Sequence, residues 1–406
     1  MNKKTLYITF DGLTDPLGQS QIMPYLIGVA CNGYDITVLS CEKKERIEKE
    51  KHTVLKLIDS TTINWQYIIY DEDGGSITRF LYLKKLNGIA KKLHKINSFQ
   101  LVHCRSYLSA LIGLKLKLKH NLPFVFDMRG LWADERIDGG IWQKNKLLHL
   151  AFFNYFKKKE KQFITHSNAI VSLTNNGANE LERMYPKTNS QQKTTVIPCC
   201  CNTQLFNKDV TREAITIEGI SVNDHILIYT GSIGTWYFTK EMIDCILIWK
   251  KFVPNIKLLV VTKDVAALKI VLSNYPVDIA NTVVSTSSSY HNIPNYLNVA
   301  KAAIFFIKPS YSKIASSPTK MAECWAMNLP IITNSGIGDN DLYFKDNLGG
   351  ILIDNFTDKD YENACTIYLQ LITQKNNYRN IALKHFDTEM AITKYVQIYN
   401  GITNKN

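Results

Sequence analysis

The sequence has 406 residues, of which 45% are hydrophobic and 21% are charged, and its formal net charge is +12. This composition is typical of a globular protein with two large cores, and no apolar run reaches the roughly 20 residues that a membrane-spanning helix needs. The first apolar run is too short to indicate a signal peptide. The nine cysteines, an odd number, fit a reducing cytoplasm better than a disulfide framework.

Strand-like and helical patterns alternate along the chain, as in a mostly parallel sheet with helices on both faces. In the first half the predicted strands are 4–10, 35–41, 64–70, 100–104, 124–128, 169–174 and 194–198, and the longest predicted helices are 77–96 and 141–165. The alternation is interrupted over 197–224. It then begins again, with predicted strands at 225–230, 257–262, 282–285, 302–307, 330–333 and 350–353. Two doubly wound α/β domains are the simplest interpretation, with ligands bound beyond the carboxyl ends of the strands.

The positive charge is concentrated in the first half. Residues 1–200 contain 29 Lys and Arg against 18 Asp and Glu, a net charge of +11, whereas residues 201–406 contribute +1. This asymmetry predicts that the first half faces an anionic surface, either nucleic acid or an anionic membrane leaflet. Residues 145–163 read as an amphipathic basic helix, and no nucleic-acid recognition motif accompanies them. We therefore favour the membrane; a core helix with a solvated lysine face is the alternative.

A candidate anion site follows the predicted strand at 302–307. Ser317 is expected to be the N-cap of a helix, with Pro318 at the first helical position. Backbone N–H groups, the helix dipole and Lys320 would then converge on a phosphate, with Glu323 one turn further on as an acceptor for hydroxyl groups. On this stretch alone, an ordinary helix with a solvated Lys320–Glu323 pair is an equally good interpretation.

Polar residues also follow several strands of the first half. After the first strand, Gly18 would allow backbone to approach a ligand, and Gln19 and Ser20 offer hydrogen bonds. A plain turn is the alternative.

Charged residues follow the fourth and fifth strands. Arg105 and Arg129 are suited to phosphate, and Asp127 or Glu135 could orient them or bind hydroxyl groups. A structural ion pair at a domain edge is the alternative.

In the second half, Gly231 and Ser232 follow the first strand and would let backbone N–H groups reach an anion. Lys240 and Lys263 lie near the same predicted edge, although a solvated lysine is the more common state. The sequence contains no GxGxxG, Walker A or HExxH motif, and the contiguous Cys199–Cys201 triplet lacks the spacers of a zinc site. We therefore expect no metal and no cofactor.

Several of these motifs together resemble the family 4 retaining glycosyltransferases of the GT-B fold, of the bacterial surface-polysaccharide type. The resemblance covers nearly the whole chain and is carried by residues 11–20, 196–198, 230–232, 293–302 and 316–330. It implies an α/β GT-B fold, in which two Rossmann-like doubly wound domains face each other across a cleft. Residues 1–200 would be the acceptor-binding domain and 201–387 the nucleotide-sugar-binding domain, with a last helix at about 388–403 packing back on the first.

The resemblance also implies roles for individual residues. Asp127, Arg129 and Lys320 are expected to be catalytic, and Arg105 and Glu135 to bind the acceptor. The expected donor-binding residues are Gly18, Gln19, Ser20, Gly231, Ser232, Lys240, Lys263, Ser317, Thr319 and Glu323. The sequence departs from the family at Ala315, which stands where the first of two glutamates is usual, so the identity of the sugar is left open.

The implied reaction moves a sugar, with retention, from a nucleoside diphosphate sugar to a glycan or lipid-linked acceptor. Its setting would be the synthesis of lipopolysaccharide, capsule or exopolysaccharide in the cytoplasm, with peripheral contact to the anionic inner leaflet and no nucleic acid. A nucleotide-sugar epimerase on the same scaffold, or a non-catalytic nucleotide-sugar-binding component of a polysaccharide assembly, are the alternatives.

Overall fold

The computed structural model describes residues 3–71, 75–210, 212 and 215–404. The chain forms two compact units. The first comprises Met1–Pro198, Tyr311–Ser316 and Thr388–Asn406, and the second Cys199–Ser310 and Ser317–Asp387. The predicted interruption at 197–224 includes residues 211, 213 and 214, which lie outside the described residues.

The first unit is built on a parallel sheet of seven strands in the order β3-β2-β1-β4-β5-β6-β7. The interior strands β5 and β6 are short, mostly apolar runs that are buried throughout, whereas the edge strand β3 has exposed or half-buried residues between its buried ones. Mostly apolar interior strands are expected where helices cover both faces of a parallel sheet. The strands are β1 Lys3–Ile8, β2 Tyr34–Lys43, β3 Ile63–Tyr70, β4 Leu101–Arg105, β5 Phe124–Asp127, β6 Ala169–Ser172 and β7 Thr194–Val196.

Nine α-helices of the described chain connect these strands or follow them. They are α1 Pro16–Gln21, α2 Met23–Cys31, α3 Lys44–Ile58, α4 Gly75–Asn97, α5 Ser106–His120, α6 Trp132–Asp138, α7 Leu147–His166, α8 Asn175–Met184 and α9 Ser190–Lys193, with a 3₁₀ turn at Pro186–Thr188. The predicted helix at 141–165 begins later, at Leu147. A turn precedes it, in which the N–H of Lys146 donates to the carbonyl of Gln143.

The second unit repeats the pattern with a parallel sheet of six strands in the order β10-β9-β8-β11-β12-β13. Its strands are β8 His225–Thr230, β9 Ile256–Val261, β10 Val283–Thr286, β11 Ala302–Ile304, β12 Ile331–Asn334 and β13 Gly350–Ile353. Its helices are α10 Thr239–Trp249, α11 Val265–Leu272, α12 Val277–Ala280, α13 Ile293–Val299, α14 Thr319–Ala326, α15 Asn340–Tyr343, α16 Asp358–Leu371 and α17 Arg379–His385, with 3₁₀ turns at Tyr290–Asn292 and Lys345–Asn347.

Both sheets have the doubly wound strand order, in which the direction of winding reverses beside the first strand of each sheet. The predicted α/β class with two parallel sheets is therefore confirmed. Every predicted strand is present, most of them with ends within two residues of the prediction; β11 is shorter and ends at Ile304. No helix among the described residues is both long and apolar enough to cross a bilayer.

Two segments from later in the chain complete the first unit. The 3₁₀ turn Tyr311–Ala315 packs against α6 and α8, and the last helix, α18 Thr388–Thr403, packs against α2. Gly28 of α2 makes room for α18, because a Cβ atom there would lie 2.2 Å from the side chain of Ile392. The sequence did not indicate that Tyr311–Ser316 belongs to the first unit.

Candidate functional site

The strand order of the second sheet reverses between β8 and β11, and ligands of such sheets bind beside this reversal at the carboxyl ends of the strands. Gly231 directly follows β8, and Phe305 directly follows β11. The ammonium nitrogen of Lys320, from the first turn of α14, lies beside both strand ends. Its distance is 4.2 Å from the ring centroid of Tyr229 in β8 and 5.3 Å from that of Phe305.

Three aromatic rings surround this ammonium. The third is Tyr237, whose ring centroid is 3.8 Å from Lys320 Nζ. Lys320 is 8% exposed, and Nζ has no hydrogen-bond partner among the described residues. Burial lowers the pKa of Lys320 to about 7. Because cation–π contacts recover only part of what an ammonium loses on leaving water, this site favours a bound anion.

Gly231 keeps the space beside the ammonium open. Its φ is +139°, and a Cβ atom there would lie 2.7 Å from Lys320 Nζ. Gly231 is exposed, so it borders the buried ammonium on its solvent side, and Ser232, the next residue, is exposed as well. The loop is held in place because the Tyr229 hydroxyl donates to the carbonyl of Ser232, and the N–H of Ile233 donates to Asp264 at 2.9 Å.

Glu323 lies one turn after Lys320 on α14 and is 7% exposed. Burial raises the pKa of its carboxyl group to about 7, and Lys320 offsets this only in part. In the part of the chain that the structure describes, the carboxylate forms no ion pair with Lys320 and accepts no hydrogen bond. The alternative of a solvated Lys320–Glu323 pair is therefore wrong.

The start of α14 differs from the prediction. The helix begins at Thr319 with Pro318 at the N-cap position, so Ser317 is not the cap. The Ser317 hydroxyl instead accepts a hydrogen bond from the N–H of Cys199 at 3.2 Å. Thr319, in the first turn, is half-buried and adjoins Lys320.

The two other predicted donor-site lysines lie apart from this cluster. Lys240 is 70% exposed and pairs with Asp244, one turn further along α10, at 2.6 Å. Lys263 is exposed directly after Thr262. Neither lysine contacts Lys320 in the described structure, so the two are not brought together with it.

In the first unit, the predicted ligand-binding residues after β1 contact other residues of that unit. A Cβ atom on Gly18 would lie 2.1 Å from the carbonyl oxygen of Gly12, which shows that Gly18 lets α1 pack on the loop. Gln19 donates to Glu50 at 3.4 Å, and the Ser20 hydroxyl donates to the carbonyl of Pro16 at 2.9 Å.

Glu42, which the sequence analysis missed, fixes the same loop. Its buried carboxylate accepts the N–H groups of Leu13 at 2.8 Å and Thr14 at 3.1 Å. A single acidic residue at the end of a strand offers no sequence signal for such a role.

The first sheet reverses its strand order between β1 and β4, and an ion pair between a buried arginine and an exposed aspartate lies at that position. Arg105, 3% exposed, donates through Nε to Asp11 Oδ2 at 3.0 Å. The Asp11 side chain is 41% exposed. Arg105, which was predicted to bind the acceptor substrate, therefore lies where doubly wound sheets bind ligands. Asp11 is a further polar group beside it.

Asp127 is 1% exposed and is surrounded by residues of the same unit. The Tyr395 hydroxyl of α18 donates to Oδ2 at 3.2 Å, His103 Nε2 lies 3.4 Å from the same oxygen, and Arg129 Nη1 lies 3.9 Å from Oδ1. Burial alone would raise the pKa of Asp127, but the charge of Arg129 and the contact with His103 outweigh it and lower the pKa. These surroundings fit the structural ion pair that the sequence left as the alternative.

Glu135 helps to fasten Tyr311–Ser316. It pairs with Lys313 at 2.7 Å, while Asp138 accepts the N–H of Ser312 at 2.8 Å. Ala315 is 0% exposed in the apolar core of the first unit, where a Cβ atom on Gly177 would lie 2.9 Å from its own Cβ. The absence of a glutamate at this position has a physical reason, since a carboxylate would be buried among apolar groups.

Comparisons with known proteins agree with this architecture. Residues 28–205 match the family model described as Glycosyltransferase Family 4, and no curated protein sequence matches the chain. Sucrose-phosphate synthase from Thermosynechococcus elongatus superposes with a TM-score of 0.75 at 15% identity, over 100% of both chains. A glycosyltransferase from Rickettsia africae gives 0.68 at 16% identity, again over 100% of both chains.

HepE from Anabaena, described in complex with UDP and glucose, gives a TM-score of 0.68 at 13% identity, over 98% of this chain and 100% of its own. At these identities the likeness shows the fold alone. The chain has the GT-B fold of these structures, and within it residues 28–205 match Glycosyltransferase Family 4.

Proposed function

We propose that the protein is a retaining glycosyltransferase of the hexosyltransferase type. It transfers a sugar from a nucleoside diphosphate sugar to a glycan or lipid-linked acceptor in the synthesis of bacterial surface polysaccharide. The observation that carries the proposal is the buried ammonium of Lys320, which has no hydrogen-bond partner among the described residues and lies at the strand reversal of the second sheet. The family match and the fold shared with HepE, described with UDP and glucose, support it.

The leaving diphosphate is the anion that this site fits. Its departure develops negative charge, which Lys320 and the first N–H groups of α14 stabilise from fixed positions. The backbone of Gly231 and Ser232 borders the same space. Glu323 accepts hydrogen bonds from the hydroxyl groups of the ribose. Its buried carboxylate is suited to this because no donor of the described residues occupies it.

Glu323, the carboxylate nearest to Lys320 along α14, is assigned to the ribose rather than to the sugar. We therefore assign a front-face displacement, in which the leaving phosphate assists attack by the acceptor hydroxyl. We assign acceptor binding to Arg105 and Asp11 at the strand reversal of the first sheet, and to Glu135, which pairs with Lys313. Asp127 and Arg129 support this region from beneath the surface.

We further propose that transfer needs no metal ion, because Lys320 supplies a cation at the diphosphate. The described residues contain no group of three or more His, Cys, Asp or Glu side chains arranged to hold a metal. Turnover in excess EDTA should equal turnover with added Mg²⁺. Activity that disappears with EDTA and returns with Mg²⁺ would show that a metal carries the diphosphate instead.

The test is a screen of nucleotide sugars against glycan and lipid-linked acceptors, with nucleoside diphosphate release and product anomer as readouts. Lys320→Ala should abolish transfer of the donor found in the screen, whereas the matched variant Lys240→Ala should retain it, since the Lys240 ammonium pairs with Asp244 in solvent. Epimerised donor in the absence of acceptor would favour the epimerase. Tight donor binding without turnover over the whole panel would favour the non-catalytic component, and both outcomes contradict the proposal.

A further inference from the structure

Three helices of the first unit form a layer with an unusual charge. α5 packs between α4 and α7 on one face of the sheet. The sequences of α4 and α5 contain no Asp or Glu, and the single acidic residue of α7, Glu160, is buried and engaged by Lys157 and Tyr107. The outer surface of the layer is therefore basic over its whole width.

Lysines from all three helices of this layer lie close to one another. Burial and the charges of Lys91 in α4, Lys159 in α7 and Lys119 in α5 lower the pKa of Lys115, so all three helices contribute to one basic surface. None of the layer's exposed lysines pairs with a carboxylate in the described chain. These exposed lysines are Lys84, Lys85, Lys92, Lys95, Lys115, Lys119, Lys158 and Lys161.

Exposed apolar side chains lie at one end of the same layer. Phe80 and Leu81, near the start of α4, are 66% and 57% exposed, and Leu147 and Leu148, at the start of α7, are 86% and 65% exposed. Helices that follow strands of a parallel sheet start at the same edge, so the two pairs share one end of the layer. Burial and the charge of Arg79 in α4 lower the pKa of Arg136. The Arg136 guanidinium lies 5.8 Å from the ring centroid of Trp142, just before α7, so the starts of α4 and α7 are near each other.

A cavity of about 530 Å³ opens at the other end of α4 and α5. It is lined by Lys91, His94, Lys95, Ser98, Phe99 and His120. Its lining contains Lys91, Lys95 and no acidic residue, so it has room and positive charge for a phosphate group.

We propose that the outer surface of α4, α5 and α7 docks on an anionic lipid bilayer. The lysines lie over the acidic headgroups, Phe80, Leu81, Leu147 and Leu148 enter the interfacial region, and a lipid phosphate occupies the cavity between α4 and α5. A basic surface alone would also suit nucleic acid. The exposed aliphatic pairs favour lipid, because amphipathic surfaces bind bilayers by combining apolar burial with attraction to anionic headgroups. This inference stands without the proposed catalytic activity.

The test uses the full chain in a sedimentation assay with vesicles of phosphatidylcholine alone or mixed with phosphatidylglycerol, at low and high salt. We expect binding only to the mixed vesicles and weaker binding at high salt. The triple variant Lys85→Gln/Lys92→Gln/Lys158→Gln should lower the partition by roughly a hundredfold. The matched control Lys251→Gln/Lys269→Gln/Lys359→Gln removes the same charge from exposed positions of the second unit and should bind like the parent.

A second variant separates the apolar contribution. Leu147→Ser/Leu148→Ser should weaken binding at both salt concentrations and keep the salt dependence. Equal losses in the triple variant and its control, or no binding to mixed vesicles, would overturn the proposal. A duplex DNA probe should not be retarded under the same conditions; retardation that depends on Lys85, Lys92 and Lys158, without vesicle binding, would assign the surface to nucleic acid.

Discussion

The ammonium nitrogen of Lys320 lies 3.8 Å from the ring centroid of Tyr237, and no carboxylate pairs with it in the described structure. A buried charge in this state lowers the stability of the unliganded protein. Residues of this kind are kept where a ligand uses them, so the geometry predicts opposite effects on stability and on nucleotide binding.

Lys320→Met should raise the free energy of unfolding of the unliganded protein by about 1 to 3 kcal/mol near pH 7, because it removes a buried group without a partner. It should also abolish the thermal stabilisation that a nucleoside diphosphate gives the parent. Thermal unfolding with and without UDP or GDP measures both effects. A destabilised variant that still responds to nucleotide would contradict the assignment.

The stability difference should depend on pH. Because burial lowers the pKa of Lys320 from 10.5 to about 7, the folded protein binds fewer protons than the unfolded chain between these values. The parent's free energy of unfolding therefore rises with pH in this window, and the advantage of Lys320→Met shrinks as pH increases. Denaturant unfolding of both proteins at several pH values checks the sign.

The two glycines of the loop after β8 provide a matched pair. Gly231 and Gly234 have φ values of +139° and +101°, so alanine is strained at both, by roughly 1 to 3 kcal/mol. Only at Gly231 would the new Cβ meet Lys320, 2.7 Å from Nζ, whereas nothing lies within 4 Å at Gly234. Gly231→Ala should lose nucleotide affinity in calorimetry, and Gly234→Ala should keep it. Similar affinity in the two variants would show that Lys320 does not hold the phosphate.

The α/β alternation and the strand positions could be predicted because each strand is a short apolar run between polar turns. The surroundings of Lys320 could not. Tyr229 and Tyr237 come from β8 and the loop after it and Phe305 directly follows β11, and each looks like an ordinary residue of a strand or its flank. Ser317 precedes a proline, as an N-cap residue often does, but its hydroxyl accepts a hydrogen bond from the N–H of Cys199, 118 residues away in the chain.

The surroundings of Asp127 could not be predicted for the same reason, since Tyr395, whose hydroxyl donates to it, is 268 residues away in the chain. Asp127→Asn should lower the free energy of unfolding by about 1 to 3 kcal/mol, because a neutral amide replaces the buried carboxylate that accepts the Tyr395 hydroxyl and lies 3.9 Å from Arg129. The control Asp138→Asn keeps an oxygen that can accept the N–H of Ser312 and should change stability by less than about 1 kcal/mol. Unchanged stability with lost turnover would instead support the catalytic role that the sequence predicted for Asp127.

Ala315 allows a direct test of why the usual glutamate is absent. Ala315→Glu would place a carboxylate at a position that is 0% exposed and packed against Gly177, and the unfolding free energy should fall by about 3 kcal/mol or more. Ser316→Glu, one residue further along and half-buried, is the matched control and should fold nearly as well as the parent. Neither variant should raise transfer activity with the donor found in the screen. Higher turnover in Ala315→Glu without loss of stability would mean that this position reaches the donor sugar, and that the apolar packing around Ala315 is not what excludes a carboxylate there.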